Sequence, residues 1–157
     1  MKLYRIALLA AVLSAGAHAE CGAGHLVVLV NPNNAVESIS IAQLRKLMLG
    51  DVSNWPDHKP VTLVHRTASS AVFKCMLSEI MHMTDAEYKR YQLNAQFRGD
   101  QEVVPKVSDS GTGAANMVAI LPGAITLIEA DVVKSLTRPL KIVRIDGKQP
   151  GDPGYPF

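Results

Sequence analysis

The stretch Val64-His65-Arg66-Thr67-Ala68-Ser69-Ser70-Ala71-Val72-Phe73 decides how this chain is read. Val61 to Val64 is an apolar run of strand length, a short polar loop follows, and from Val72 onward apolar residues recur at helical spacing. An arginine at a strand tip and two hydroxyls at a helix start are the parts of an oxyanion site. First-turn N–H groups lack intrahelical partners, the helix dipole favours negative charge there, and a guanidinium adds a fixed fork of donors. Arg66, Ser69, Ser70 and the backbone of Ala71 are therefore the first candidate ligand-binding residues. The plainer reading of the same residues is an N-cap by Ser69 or Ser70 beside a surface arginine.

Working outward, Val72, Phe73, Met76, Leu77 and Ile80 form an apolar stripe, with Cys75 set among Ser78, Glu79 and His82 on the opposite, wet face. Upstream, His25 to Val30 is an almost wholly apolar run stopped by Asn31-Pro32-Asn33-Asn34, a buried strand and its turn. Ser40 and Gln43 make a capping box for a helix through Leu49, with Gly50 as its stop. Asn54-Trp55-Pro56-Asp57 is a turn plugged by the tryptophan. Thr84 and Glu87 make a second capping box for a helix carrying Tyr88, Tyr91 and Ala95 on one face. Val103 to Val107 is a third strand candidate that Pro105 weakens, which suggests an edge or a bulge. Ser108-Asp109-Ser110-Gly111 opens a helix through about Ile120, and Pro122-Gly123 precedes a strand from Ala124 to Ile128. A short helix over Ala130 to Ser135 and a last strand over Lys141 to Ile145 complete the pattern. The tail after Pro150 is expected to lie on the surface as extended turns. Alternating strands and helices predict an α/β three-layer sandwich: a mixed, mostly parallel sheet of four or five strands flanked by helices.

The first residues read as an address. Lys2 and Arg5 precede a short apolar run, and Ala17-His18-Ala19 is an A-x-A cleavage site, so residues 1–19 are expected to be a cleaved signal peptide. That leaves 138 of the 157 residues as a single domain over 20–157, exported to the periplasm and without membrane insertion after cleavage. The leader carries two of the sixteen Lys and Arg and none of the fourteen Asp and Glu, so the excess charge of +2 goes with it. A neutral domain with few aromatics argues against nucleic acid as a partner. In an oxidising compartment Cys21 and Cys75 are either joined or two free thiols, and the spacing leaves both open.

Ser108, Asp109 and Ser110 form a second strand-to-helix loop and complete the candidate ligand set, because such loops gather at the carboxyl ends of strands in open α/β sheets. Helix capping explains them equally. Asn31 and Asn33 face the same way if the first strand runs parallel to its neighbours. Met81-His82-Met83, and Cys21 with His25, are soft donors for a metal such as copper(I), but no third converging ligand accompanies either pair, so no metal is expected. There is no nucleophile elbow, no His paired with a carboxylate at ligand spacing and no glycine-rich phosphate loop, which argues against an enzyme and against a cofactor.

The order of these motifs resembles the phosphate-binding members of the type II periplasmic binding protein superfamily, the receptors that feed ABC transporters. The resemblance is carried by Val30-Asn31-Pro32, Leu44 through Gly50, Asn54-Trp55-Pro56-Asp57, Val64-His65-Arg66 with Ser70 and Phe73, Pro122-Gly123-Ala124-Ile125, and the tail Arg144-Ile145-Asp146-Gly147 with Asp152-Pro153-Gly154-Tyr155-Pro156. It implies one lobe of a clamshell, with inorganic phosphate or another small oxyanion as ligand. It also implies a membrane transporter, a sensor or a second protein lobe as partner. Two departures stand out. The chain has residues for one lobe only, and where the family follows the arginine with Ser-Gly-Thr, this chain has Ser70-Ala71-Val72. The implied function is weak or partner-assisted oxyanion binding; the alternative is a protein-interaction module that kept the fold and lost the ligand.

Overall fold

The first strand, β1 (Leu26–Val30), is buried along its whole length, as a strand covered on both faces must be. The computed structural model describes residue 21, residues 25–100 and residues 102–157; the expected signal peptide lies outside the described residues. After β1 come the short β2 (Ser38–Ile39) and α1 (Ile41–Leu49). Ser40 and Gln43 close the capping box on α1, and Gly50 ends it at φ 81°, as the residue types predict. Then follow β3 (Thr62–Arg66), α2 (Ala71–Cys75) with a π-helical continuation over Met76–Met81, and α3 (Asp85–Arg98), opened by the Thr84–Glu87 capping box. The rest of the chain forms β4 (Lys106–Ser108), α4 (Gly111–Ile120), β5 (Ala124–Glu129), α5 (Ala130–Lys134), β6 (Lys141–Ile142) and β7 (Arg144–Ile145).

The main sheet has the order β4-β3-β5-β1-β6. β3 lies parallel to both β4 and β5, and β1 lies antiparallel to both β5 and β6. Four strands thus run one way and β1 the other. Alternation along β1 divides the interior into two layers. Leu26, Val28 and Val30 join Leu63, Ile125 and Leu127 against Leu44, Met48, Phe73, Met76 and Ile80. Val27 and Leu29 join Val64 and Ile128 against Ala114, Ala115 and Val118 of α4. The expected three-layer α/β sandwich is the architecture found.

Four details correct the sequence reading. Lys141 to Ile145 is not one strand: the chain leaves the main sheet at Val143, and β7 pairs in parallel with β2 instead. Cys75 is not on a wet face but buried, joined to Cys21 by a disulfide with the Cα atoms 5.5 Å apart. The π-helical continuation begins directly after it and ends with His82 at φ 53°, so the 100° spacing does not extend along this helix. The tail is not a surface segment, because Tyr155 and Phe157 are buried in the larger core with their rings edge-on at 5.6 Å. Finally, the antiparallel sense of β1 puts Asn31 and Asn33 at the opposite end of the sheet from Arg66. There the Asn31 Nδ2 donates to the carbonyls of Val118 and Leu121, closing the end of α4.

Candidate functional site

The carboxyl ends of β3, β4 and β5 meet at one end of the sheet, and most of the candidate residues sit there. Arg66 is the last residue of β3, which runs two residues further than the apolar pattern alone indicates. Ser70 is the N-cap of α2: its Oγ accepts from Phe73 N at 3.1 Å and donates to Thr67 O at 2.8 Å. Ser69 and Ala71 are exposed beside it. Ser110 caps α4 in the same manner, accepting from Gly113 N at 3.0 Å, and the buried Ser108 donates its hydroxyl to Ser110 O. The two loops are tied together, since Thr67 N donates to Ser108 O at 3.1 Å. Both serine hydroxyls at the helix starts thus have a local role, and the N–H groups of Ala71 and Val72 are the remaining first-turn donors of α2.

The guanidinium of Arg66 is held. Its Nη1 donates to Glu129 Oε2 at 2.7 Å and to Oε1 at 3.0 Å, and its Nη2 donates to the Asp109 backbone carbonyl at 3.3 Å. The arginine side chain is 9 % exposed and the Glu129 side chain 41 %. The buried Arg66 Nε has no partner. This pair passes directly over the start of α4: a Cβ on Gly111 would stand 2.9 Å from Glu129 Oε2 and 3.2 Å from Arg66 Nη1. Glycine at 111 is what lets the pair close. Glu129 joins the candidate cluster through Arg66 and is not among the residues that the sequence pattern singles out. Its signal is a lone carboxylate that directly ends the apolar run of β5, at the same end of the sheet as Arg66. With Asp109 exposed nearby, two carboxylates accompany one guanidinium here.

One residue back along β3, the side chain of His65 enters the larger core. It is buried, its ring stands edge-on to Phe73 at 6.0 Å, and its Nε2 has no partner. Burial pushes its pKa down to about 4, against a weaker upward pull from a hydrogen bond to the Met48 backbone. An unfolded chain binds this proton near pH 6.5 and the folded one near 4, so the stabilisation is complete above about pH 6.5 and lost as pH falls toward 4. The loss is expected to reach about 3 kcal/mol. Urea midpoints at pH 7 and 4.5 should differ strongly for the native chain and much less for His65→Leu. An equal slope in both proteins would exclude His65 as the origin.

The PBP superfamily domain matches residues 14–152. The chain belongs to that superfamily. No curated protein matches it in sequence. Among solved structures, this PBP superfamily chain is similar to PstS from Borrelia burgdorferi, with a TM-score of 0.61 and 21% identity over 80% of this chain and 49% of that one. It is also similar to an ABC-type phosphate transport receptor from Vibrio cholerae, with a TM-score of 0.58, 18% identity, and coverage of 80% and 48%. A phosphate-binding protein from Stenotrophomonas maltophilia is similar with a TM-score of 0.58, 14% identity, and coverage of 80% and 40%. At these identities the likeness is one of fold. The chain spans about half the length of the Borrelia and Vibrio structures. Those proteins carry the names of binding proteins and transport receptors rather than enzymes. No helix among the described residues is long and apolar enough to cross a membrane.

Proposed function

We propose that this chain is an exported, non-enzymatic solute-binding lobe whose oxyanion site is held closed by its own carboxylate. An incoming phosphate or similar oxyanion displaces Glu129 from Arg66 and takes up the N–H groups of Ala71 and Val72 with the hydroxyl of Ser69, and Ser70 joins them by turning its hydroxyl from Thr67 O to the ligand. The observation that carries the reading is the Arg66–Glu129 contact at 2.7 Å at the carboxyl end of the sheet. A carboxylate is itself an oxyanion, so the site already accommodates that chemistry. Glu129, the more exposed partner, is the one free to swing away. Ser108 and Ser110 position the neighbouring loop, and Asp109 accepts a hydrogen bond from a protonated phosphate while repelling a fully ionised anion.

Magnitudes bound the affinity. A receptor with micromolar affinity has about −8 kcal/mol of binding free energy, and half of that leaves a dissociation constant near roughly 1 mM. Displacing Glu129 weakens it further. Useful binding therefore calls for a second protein to complete the cage: a membrane transporter, a sensor or a separate lobe, met in the periplasm after removal of residues 1–19. Isothermal titration with phosphate and sulfate tests this. Glu129→Gln is expected to bind phosphate about tenfold more tightly than the native chain, a gain of about 1.4 kcal/mol, and Arg66→Ala to abolish the heat. Native binding that Glu129→Gln leaves unchanged would rule out displacement.

A second reading, a protein-interaction module without a ligand, is favoured by Ala71 and Val72, which supply no side-chain donors, and by the excess of carboxylate at this end. Absence of heat in both the native chain and Glu129→Gln at tens of millimolar phosphate selects it.

A further inference from the structure

At the other end of the sheet from Arg66, a groove of about 300 Å3 opens between α1, the segment around β2 and the Trp55 turn. Val36, Leu47, Val52 and Trp55 make its apolar wall, and Lys46 and Gln43 stand on its rim. Trp55 is a fixed wall rather than a loose flap. Its indole N–H donates to Gly123 O at 2.8 Å, and the residue is 4% exposed. No acidic residue lines the groove. The neighbouring carboxylates are engaged elsewhere, Glu37 with Lys141 at 2.5 Å, Asp57 with Lys59 at 2.9 Å and Asp51 with the Tyr91 hydroxyl. Among the described residues Lys46 has no carboxylate ion-pair partner, and it is the charged side chain of the lining, set above an apolar floor. Small-molecule sites have this form, a mostly apolar concavity with a few polar groups that fix orientation.

We propose that this groove binds a small amphipathic carboxylate, with its apolar part against Trp55, Leu47 and Val52 and its head group paired with Lys46. The volume has room for about ten water-sized groups, at roughly 30 Å3 each, which matches an alkyl or aryl monocarboxylate rather than a larger lipid. Burial of the apolar part drives binding, and the ammonium selects for the negative head. The site is separate from the oxyanion end: a phosphate ion has no apolar part to bury here.

Trp55 is the only tryptophan in the chain, so its emission reports occupancy directly. Titration with octanoate below its micellar concentration is expected to give a saturable change with a stoichiometry of one by calorimetry. 1-Octanol should bind about fivefold more weakly, as loss of one surface ion pair implies, and phosphate should leave the emission unchanged. Lys46→Met, at an exposed position, should bring octanoate to the affinity of octanol. The proposal is overturned if octanoate gives no saturable change, if several molecules bind, if octanol matches octanoate in the native chain, or if Lys46→Met keeps the preference.

Discussion

Phe157→Ala is expected to lower the unfolding free energy by about 4 kcal/mol, one of the largest losses from any single side chain here. The residue is 1% exposed and packs edge-on against Tyr155, itself 3% exposed, inside the larger core. The segment before them is built to turn back on the body. Asp152 accepts from Gln149 N at 2.8 Å, Tyr155 N donates to Asp152 O at 3.0 Å, and Lys148 Nζ donates to Gly154 O at 3.0 Å. Two aromatic residues two positions apart then both point inward. Removing the Phe157 ring leaves a cavity that the fixed turns prevent from collapsing. In a melting experiment the midpoint should fall on the order of 10–15 °C. A drop of less than about 3 °C would mean that the tail does not pack in solution as described.

Loss of the Cys21–Cys75 bridge is expected to cost a similar amount. The bridge joins residues 54 apart, and closing a loop of that length removes about 4 kcal/mol of chain entropy from the unfolded state. Cys75 is buried in the larger core, with Cys21 packed against the same cluster. The bridge therefore fastens the start of the described chain to the helix that follows Arg66. Cys21→Ser with Cys75→Ala, or the native chain under reductant, should unfold at clearly lower urea and with a somewhat steeper slope, because the unfolded chain without the cross-link exposes more surface. A difference below about 1 kcal/mol would show that the bridge does not restrict the unfolded ensemble as its loop length implies.

Much of the fold was legible because local chemistry and global packing agree. The capping boxes at Ser40 and Thr84, the stop at Gly50 and the apolar run of β1 each act over a few residues, and each determines an element on its own. What was not legible is long-range or depends on direction. An apolar run says that a strand is buried, not which way it runs, so Asn31 was placed correctly on a turn but at an undetermined end of the sheet. The tail was read from Pro and Gly alone, whereas Tyr155 and Phe157 determine where it goes. Arg66 was identified as the charged group of the site, but its partner lies 63 residues onward, where no spacing rule reaches. The π-helical stretch after Cys75 moved that residue off the face that regular helical geometry assigns.

The reversed central strand has a consequence for how the molecule comes into being. Val28 pairs with Leu127, and Leu29 with Ile142, so the strand made first has partners made almost last. Non-local pairing of this kind slows folding, because the loop must be closed before any contact rewards it. A growing chain has no complete sheet until β6 has emerged, and β1 has no partner strand until β5 has been made. The order of synthesis therefore sets the order of assembly: the central strand waits for nearly the whole chain before its second edge is covered.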